Sequence, residues 1–123
     1  MPTHARKTEK RLLGTWRSDG PRTVREWRFR PDITRKKRDK FLAIFGKLRV
    51  TYTPRFRRWV MDDYRNRHRY EVLASDSRSV AIRYECPTTG EWLIEHIVFD
   101  GTGRYWIPLG YNREWFRRIS RAV

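Results

Sequence analysis

Cysteine is almost missing from this chain: 123 residues contain one, Cys86. A lone cysteine rules out an internal disulfide and fits a reducing compartment, so the fold must be held by packing. Histidine is scarce too, with His4, His68 and His96 far apart and no Cys-x-x-Cys pair anywhere. The spacings of a structural zinc site are therefore absent, and neither a metal nor a cofactor is expected. No apolar run approaches the roughly 18 residues of a membrane span, and Met1 to Arg11 is basic without the apolar stretch of a signal peptide. The expectation is a cytoplasmic protein with no membrane span, with a flexible basic segment over 1–11 ahead of one domain over 12–123.

What the chain has is arginine and aromatic rings. Against 14 acidic residues stand 29 basic ones, 23 of them Arg, for a formal net charge of +15. Two causes compete for that charge: a partner rich in phosphate or carboxylate, and an arginine bias across a solvated surface. Residues 1–70 carry 22 basic and 7 acidic side chains, 71–100 carry 2 and 6, and 101–123 carry 5 and 1. That segregation gives weight to an oriented field. Six Trp, six Tyr and six Phe bring large buried areas to a chain that, at this length, buries about two thirds of its unfolded surface.

Turn signals recur at Ser18-Asp19-Gly20-Pro21, Asp62-Asp63, Ser75-Asp76-Ser77, Pro87-Thr88-Thr89-Gly90 and Asp100-Gly101-Thr102-Gly103. They separate short runs rich in Trp, Tyr, Val and Ile, which reads as an antiparallel meander. Strands are expected near 12–18, 23–30, 48–53 and 55–62, then around 68–72, 80–86, 92–98 and 105–109, with one more near 112–119. The exception is 31–46, where Ile33, Lys37, Phe41, Ile44, Phe45 and, just beyond, Leu48 follow helical spacing, with Asp32 or Thr34 to cap the start and Gly46 to end it. This predicts one amphipathic helix between the second and third strands. Its outer face, Arg35, Lys36, Lys37, Arg38 and Lys40, is the densest basic patch expected.

Matching apolar faces across the later hairpins sets Ile82 opposite His96, His96 opposite Ile107, Val98 opposite Tyr105, and Tyr70 opposite Ile82. One inner face then holds His68, Tyr70, Tyr84, Trp92, His96 and Tyr105 among Val72, Val80, Ile94 and Val98. An apolar concavity with a few convergent polar groups is the usual form of a small-molecule site; the same side chains can equally bond one another in a filled core. His68, flanked by Arg67 and Arg69, is placed nearer the rim.

No catalytic constellation emerges. In this register Cys86 faces Trp92, roughly 13 Å from His96 at strand rise. Glu95 and His96 are adjacent and point to opposite faces. Asp62-Asp63 suits a turn better than acid/base work. Gly101-x-Gly103 precedes a strand and lacks the Lys of a phosphate loop. Basic segments interleaved with aromatics suit nucleic acid, yet no base-reading signature occurs.

Gly14-Thr15-Trp16 on the first expected strand, answered near the end by Trp115 with Arg113, Arg117 and Arg118, resembles the lipocalin (calycin) signature. In that family the tryptophan plugs one end of an up-and-down barrel and an arginine packs across its indole. The runs Arg104-Tyr105-Trp106-Ile107 and Arg113 to Arg118 are similar to short bacterial lipocalin-like domains. The chain departs from secreted lipocalins in having no Thr-Asp-Tyr turn and no final helix. It also lacks the Arg-x-Tyr clamp of fatty-acid-binding proteins, which argues against a fatty acid but leaves an anion held by another inward arginine open.

The expectation is thus a mainly β protein, an antiparallel up-and-down barrel of about eight strands with one helix. Its expected role is non-enzymatic binding of a small, largely apolar or aromatic ligand inside the barrel. The alternative is a basic surface module for nucleic acid or an acidic protein partner; an enzyme using His96 as general base ranks third.

Overall fold

Alternating apolar and polar residues between close-set turns form eight strands: β1 (Gly14–Ser18), β2 (Arg49–Tyr52), β3 (Phe56–Met61), β4 (Tyr64–Ser75), β5 (Ser79–Glu85), β6 (Trp92–Asp100), β7 (Arg104–Leu109) and β8 (Asn112–Arg121). Each pairs antiparallel with its successor and β8 returns to β1, so the sheet closes into a barrel with no free edge. The structure is a computed structural model that describes residues 8–121. Among these, no helix is long and apolar enough to cross a membrane.

Two helices connect β1 to β2: α1 (Gly20–Glu26) and α2 (Arg35–Leu42). The second falls within the segment expected to be helical, and the Thr34 side chain accepts from Lys37 N at its start. Residues 23–30, expected as a strand, instead begin inside α1. Asp19 Oδ1 accepts from Arg22 N and Pro21 sits in the first turn, so Ser18-Asp19-Gly20-Pro21 starts a helix rather than reversing a hairpin. Both helices consequently precede β2.

The helices lie outside the barrel. Trp115 on β8 points outward and is buried under α1: Arg22 stacks 3.4 Å over its ring, Glu26 Oε1 accepts from its Nε1, and Thr23 Oγ1 accepts from its backbone N. In contrast, α2 has no buried residue, and Phe41 and Phe45 pack on Trp27 and Phe29 instead. Arg35, Lys36, Lys37, Arg38 and Lys40 are all exposed.

One end of the barrel is plugged. Trp16 is fully buried, donates from Nε1 to Leu12 O at 2.8 Å, and carries the Arg118 guanidinium 4.2 Å over its ring. Arg118 also donates to Leu13 O, Arg11 O and Thr102 O, tying the chain ahead of β1 to the β6–β7 turn. Of the basic segment 1–11, residues 1–7 lie outside the described residues. Arg11 is held by Glu9, Asp76 O and Ser77 O.

Candidate functional site

Strand alternation from Trp16 sorts the interior into two halves. Near the plug, Trp16, Val50, Tyr52, Tyr70, Val80, Ile97, Tyr105 and Phe116 are almost wholly buried. Tyr105 stacks on Phe116 at 4.9 Å, and Tyr52 meets Tyr70 edge-on at 5.5 Å. This half is solid. Toward the other end, where β1, β3, β5 and β7 finish, the inward positions are less covered: Trp59, Tyr84 and Ile107 are half-buried, while Leu93 and Leu109 are each 39% exposed.

A polar cluster separates the halves. Arg57, projecting inward from β3, is 1% exposed. Its Nη1 meets Glu95 Oε2 at 2.7 Å and its Nε donates to His68 Nε2 at 2.8 Å, while Tyr84 and Trp59 lie 4.2 and 4.8 Å from the guanidinium. Nη2 has no partner. Burial is the largest influence and opposes the charged guanidinium, but the Glu95 carboxylate together with the Tyr52 and Tyr105 hydroxyls outweighs it and holds the pKa above the ordinary arginine value. Burial, followed by the neighbouring Arg57 charge, pushes His68 down to about 4. The imidazole is therefore neutral at pH 7: Nε2 accepts from Arg57, and Nδ1–H donates to Asn66 Oδ1 at 2.9 Å.

A second carboxylate, Glu114, faces the interior from β8. Burial raises its pKa to about 6, with Glu95 adding to the rise and a 2.7 Å hydrogen bond from Ser18 Oγ opposing it. Ser18 Oγ in turn accepts from Gly46 N at 3.0 Å, which links this wall to the chain entering β2.

His68, Tyr70, Tyr84 and Tyr105 face inward. Of these, His68 and Tyr84 join the polar cluster, whereas Tyr70 and Tyr105 belong to the packed half. His96 and Trp92 do not face inward. The β5–β6 register sets Ala81 opposite His96 and Ile82 opposite Glu95, one residue from that expected, so Leu93, Glu95, Ile97 and Phe99 line the interior. Between these strands Cys86 N donates to Glu91 O and Gly90 N to Cys86 O, which sets Glu85, not Cys86, opposite Trp92. The slip carries into β7, where Phe99 rather than Val98 opposes Tyr105. In β4–β5 the pairing shifts by two, Tyr70 opposite Tyr84, so the faces survive.

Of the three signature arginines only Arg118 reaches Trp16. Arg113 stacks 4.4 Å over Trp106, and Arg117 lies exposed on the outer face. The sequence singles out none of Arg57, Trp59 and Glu114 as inward, and the expected register puts Glu95 on the outer face opposite Arg83, where the structure instead turns Glu95 inward and pairs Arg83 with Glu71. The one available signal was period-two alternation: Asn66, His68 and Tyr70 share a face, and the register of β3 against it brings Arg57 opposite His68.

Among the described residues no three His, Cys, Asp or Glu side chains come together as a metal-binding group. Scans against family models, curated proteins and solved structures find no match.

Proposed function

We propose that the open half of the barrel binds a small, largely apolar or aromatic ligand without converting it, in the manner of a lipocalin-like carrier. The observation that carries this reading is the contrast between the halves: the plugged one is filled by its own rings, whereas inward Leu93, Leu109, Trp59 and Tyr84 are left partly uncovered. Inward apolar and aromatic side chains left partly exposed favour an occupant that removes them from water. The Trp16–Arg118 stack adds support for the lipocalin-like reading of the barrel. Because Glu95 already compensates Arg57, the floor suits a neutral polar group better than the carboxylate of a fatty acid.

Titration with the neutral dye Nile red tests it. Bound dye should shift its emission to the blue and quench tryptophan fluorescence. Trp59→Ala should weaken binding by about fivefold or more, consistent with loss of roughly 1 kcal/mol of aromatic contact, and His96→Ala should leave it unchanged. Absence of binding, or sensitivity to His96→Ala but not Trp59→Ala, would overturn the reading.

A further inference from the structure

The outer face of the barrel carries a line of arginines that only the registers reveal. Arg104 on β7 stands opposite Arg117 on β8, Arg117 opposite Arg17 on β1, and Arg17 opposite Arg49 on β2. The same row crosses β3 at Val60 and reaches Arg65 on β4. At about 4.8 Å between strands it follows roughly 24 Å of arc over six of the eight strands. Arg104, Arg117, Arg49 and Arg65 are exposed; Arg17 is half-buried and donates to Gly46 O. Among the described residues none of the five makes an ion pair. Asp100, opposite Arg104 at the end of the row, pairs with Arg22 instead.

Like charges directly opposite one another destabilise a sheet. Elsewhere the same barrel avoids this: Arg83 faces Glu71 across β4–β5 and bonds it, and Arg69 bonds Glu85. Arginine bias alone does not explain why one sector is compensated and the other left bare. An external polyanion does. A second basic step lies beside the row, with Arg58 opposite Arg67 along a groove of about 290 Å³, where the Arg67 guanidinium covers the Phe56 ring at 3.9 Å.

We propose that this row docks single-stranded nucleic acid, with successive arginines contacting successive phosphates as the strand curves around the barrel. The convex path selects the partner. A flat bilayer, or a duplex with a persistence length near 50 nm, touches only two or three neighbouring members of such a row. A flexible single strand follows all of it, and the Arg67 guanidinium, stacked on Phe56, provides a planar face alongside.

The test is fluorescence anisotropy with a labelled oligo(dT) of about 20 nucleotides across a salt series. Two variants lower the net charge equally: Arg49→Gln, Arg65→Gln, Arg104→Gln and Arg117→Gln on the row, and Arg35→Gln, Lys36→Gln, Lys37→Gln and Arg38→Gln on α2. The row variant should lose about tenfold or more in affinity and flatten the log–log salt slope by roughly 3, at about 0.7 per phosphate. The α2 variant should lose less than about threefold. Equal losses would mean that net charge alone binds, and overturn the assignment. So would equal affinity for a duplex of the same length, or row-dependent binding to phosphatidylserine vesicles in its place. Relief of opposed charge should leave the row variant's Tm no lower than that of the parent. If it melts lower, the single variants Arg49→Gln and Arg104→Gln carry the same comparison, each expected to lose about twofold.

Discussion

Arg57 Nη1 and Glu95 Oε2 lie 2.7 Å apart inside the barrel, with the arginine 1% exposed and the glutamate 18%. The two charges depend on each other unequally. Glu95→Gln leaves the guanidinium buried without its counter-charge, at an expected cost of about 3–5 kcal/mol. Arg57→Met leaves a carboxylate that can still reach water and should cost less. The double variant should be more stable than Glu95→Gln alone, giving a coupling energy measurable by urea denaturation at neutral pH.

Arg118 combines a cation–π contact with Trp16 and three backbone carbonyl partners. Its replacement by Ala is expected to cost about 3 kcal/mol, since a desolvated stack contributes about 2 and charged hydrogen bonds about 1.5 or more each, partly offset by rehydration. Arg113→Ala, which loses only a stack on half-buried Trp106, should cost under about 1 kcal/mol. Thermal melts of both variants separate the plug from the surface contact.

Two interior groups should shape stability against pH in opposite directions. His68 is held down at about 4 from 6.5, so its share of stability is complete above about pH 6.5 and is lost as pH falls toward 4. Glu114 is raised to about 6 from 4.5, so its share is complete below about pH 4.5 and is lost as pH rises through 6. Glu114→Gln should therefore stabilise the protein above pH 7, by at most about 2 kcal/mol, and do nothing at pH 4. His68→Gln should lessen the acid-side decline. Chemical denaturation from pH 4 to 8 reads both.

Gly14 has φ +119, and a Cβ there would run into Ser120 O and the Arg118 guanidinium. Gly14→Ala is expected to cost more than about 2 kcal/mol, combining a disfavoured backbone with displacement of the plug arginine. Gly103→Ala, at a position with open space and no positive φ, should cost under about 1 kcal/mol. A larger loss at Gly103 than at Gly14 would contradict this account of the Gly-x-Trp sequence.

Closure of the barrel by β8 on β1 is a long-range pairing, whereas the meander follows from local chemistry written in the chain. Asp62-Asp63 and Asp100 to Gly103 reverse it, residues between them alternate, and Thr34 starts a helix because its hydroxyl satisfies an otherwise unpaired amide. The first helix was not legible: Asp followed two residues later by Pro suits a helix start, but the same four residues suit a turn, and only packing of Trp115 against α1 decides between them. Which residues face the interior of β6 was not legible. Trp92, Ile94 and Val98 alternate with Leu93, Ile97 and Phe99, so both faces are apolar and periodicity cannot choose. The choice rests on a contact 38 residues away in sequence: Glu95 turns inward to meet Arg57, and His96 is thereby turned out. The arginine row is hidden for the same reason, because residues 17, 49, 65, 104 and 117 share no local spacing and become neighbours only when hydrogen-bond register aligns their strands. Turn and cap chemistry acts over a few residues and is written locally, whereas face and register are set by long-range pairing, which exists only once the barrel has closed.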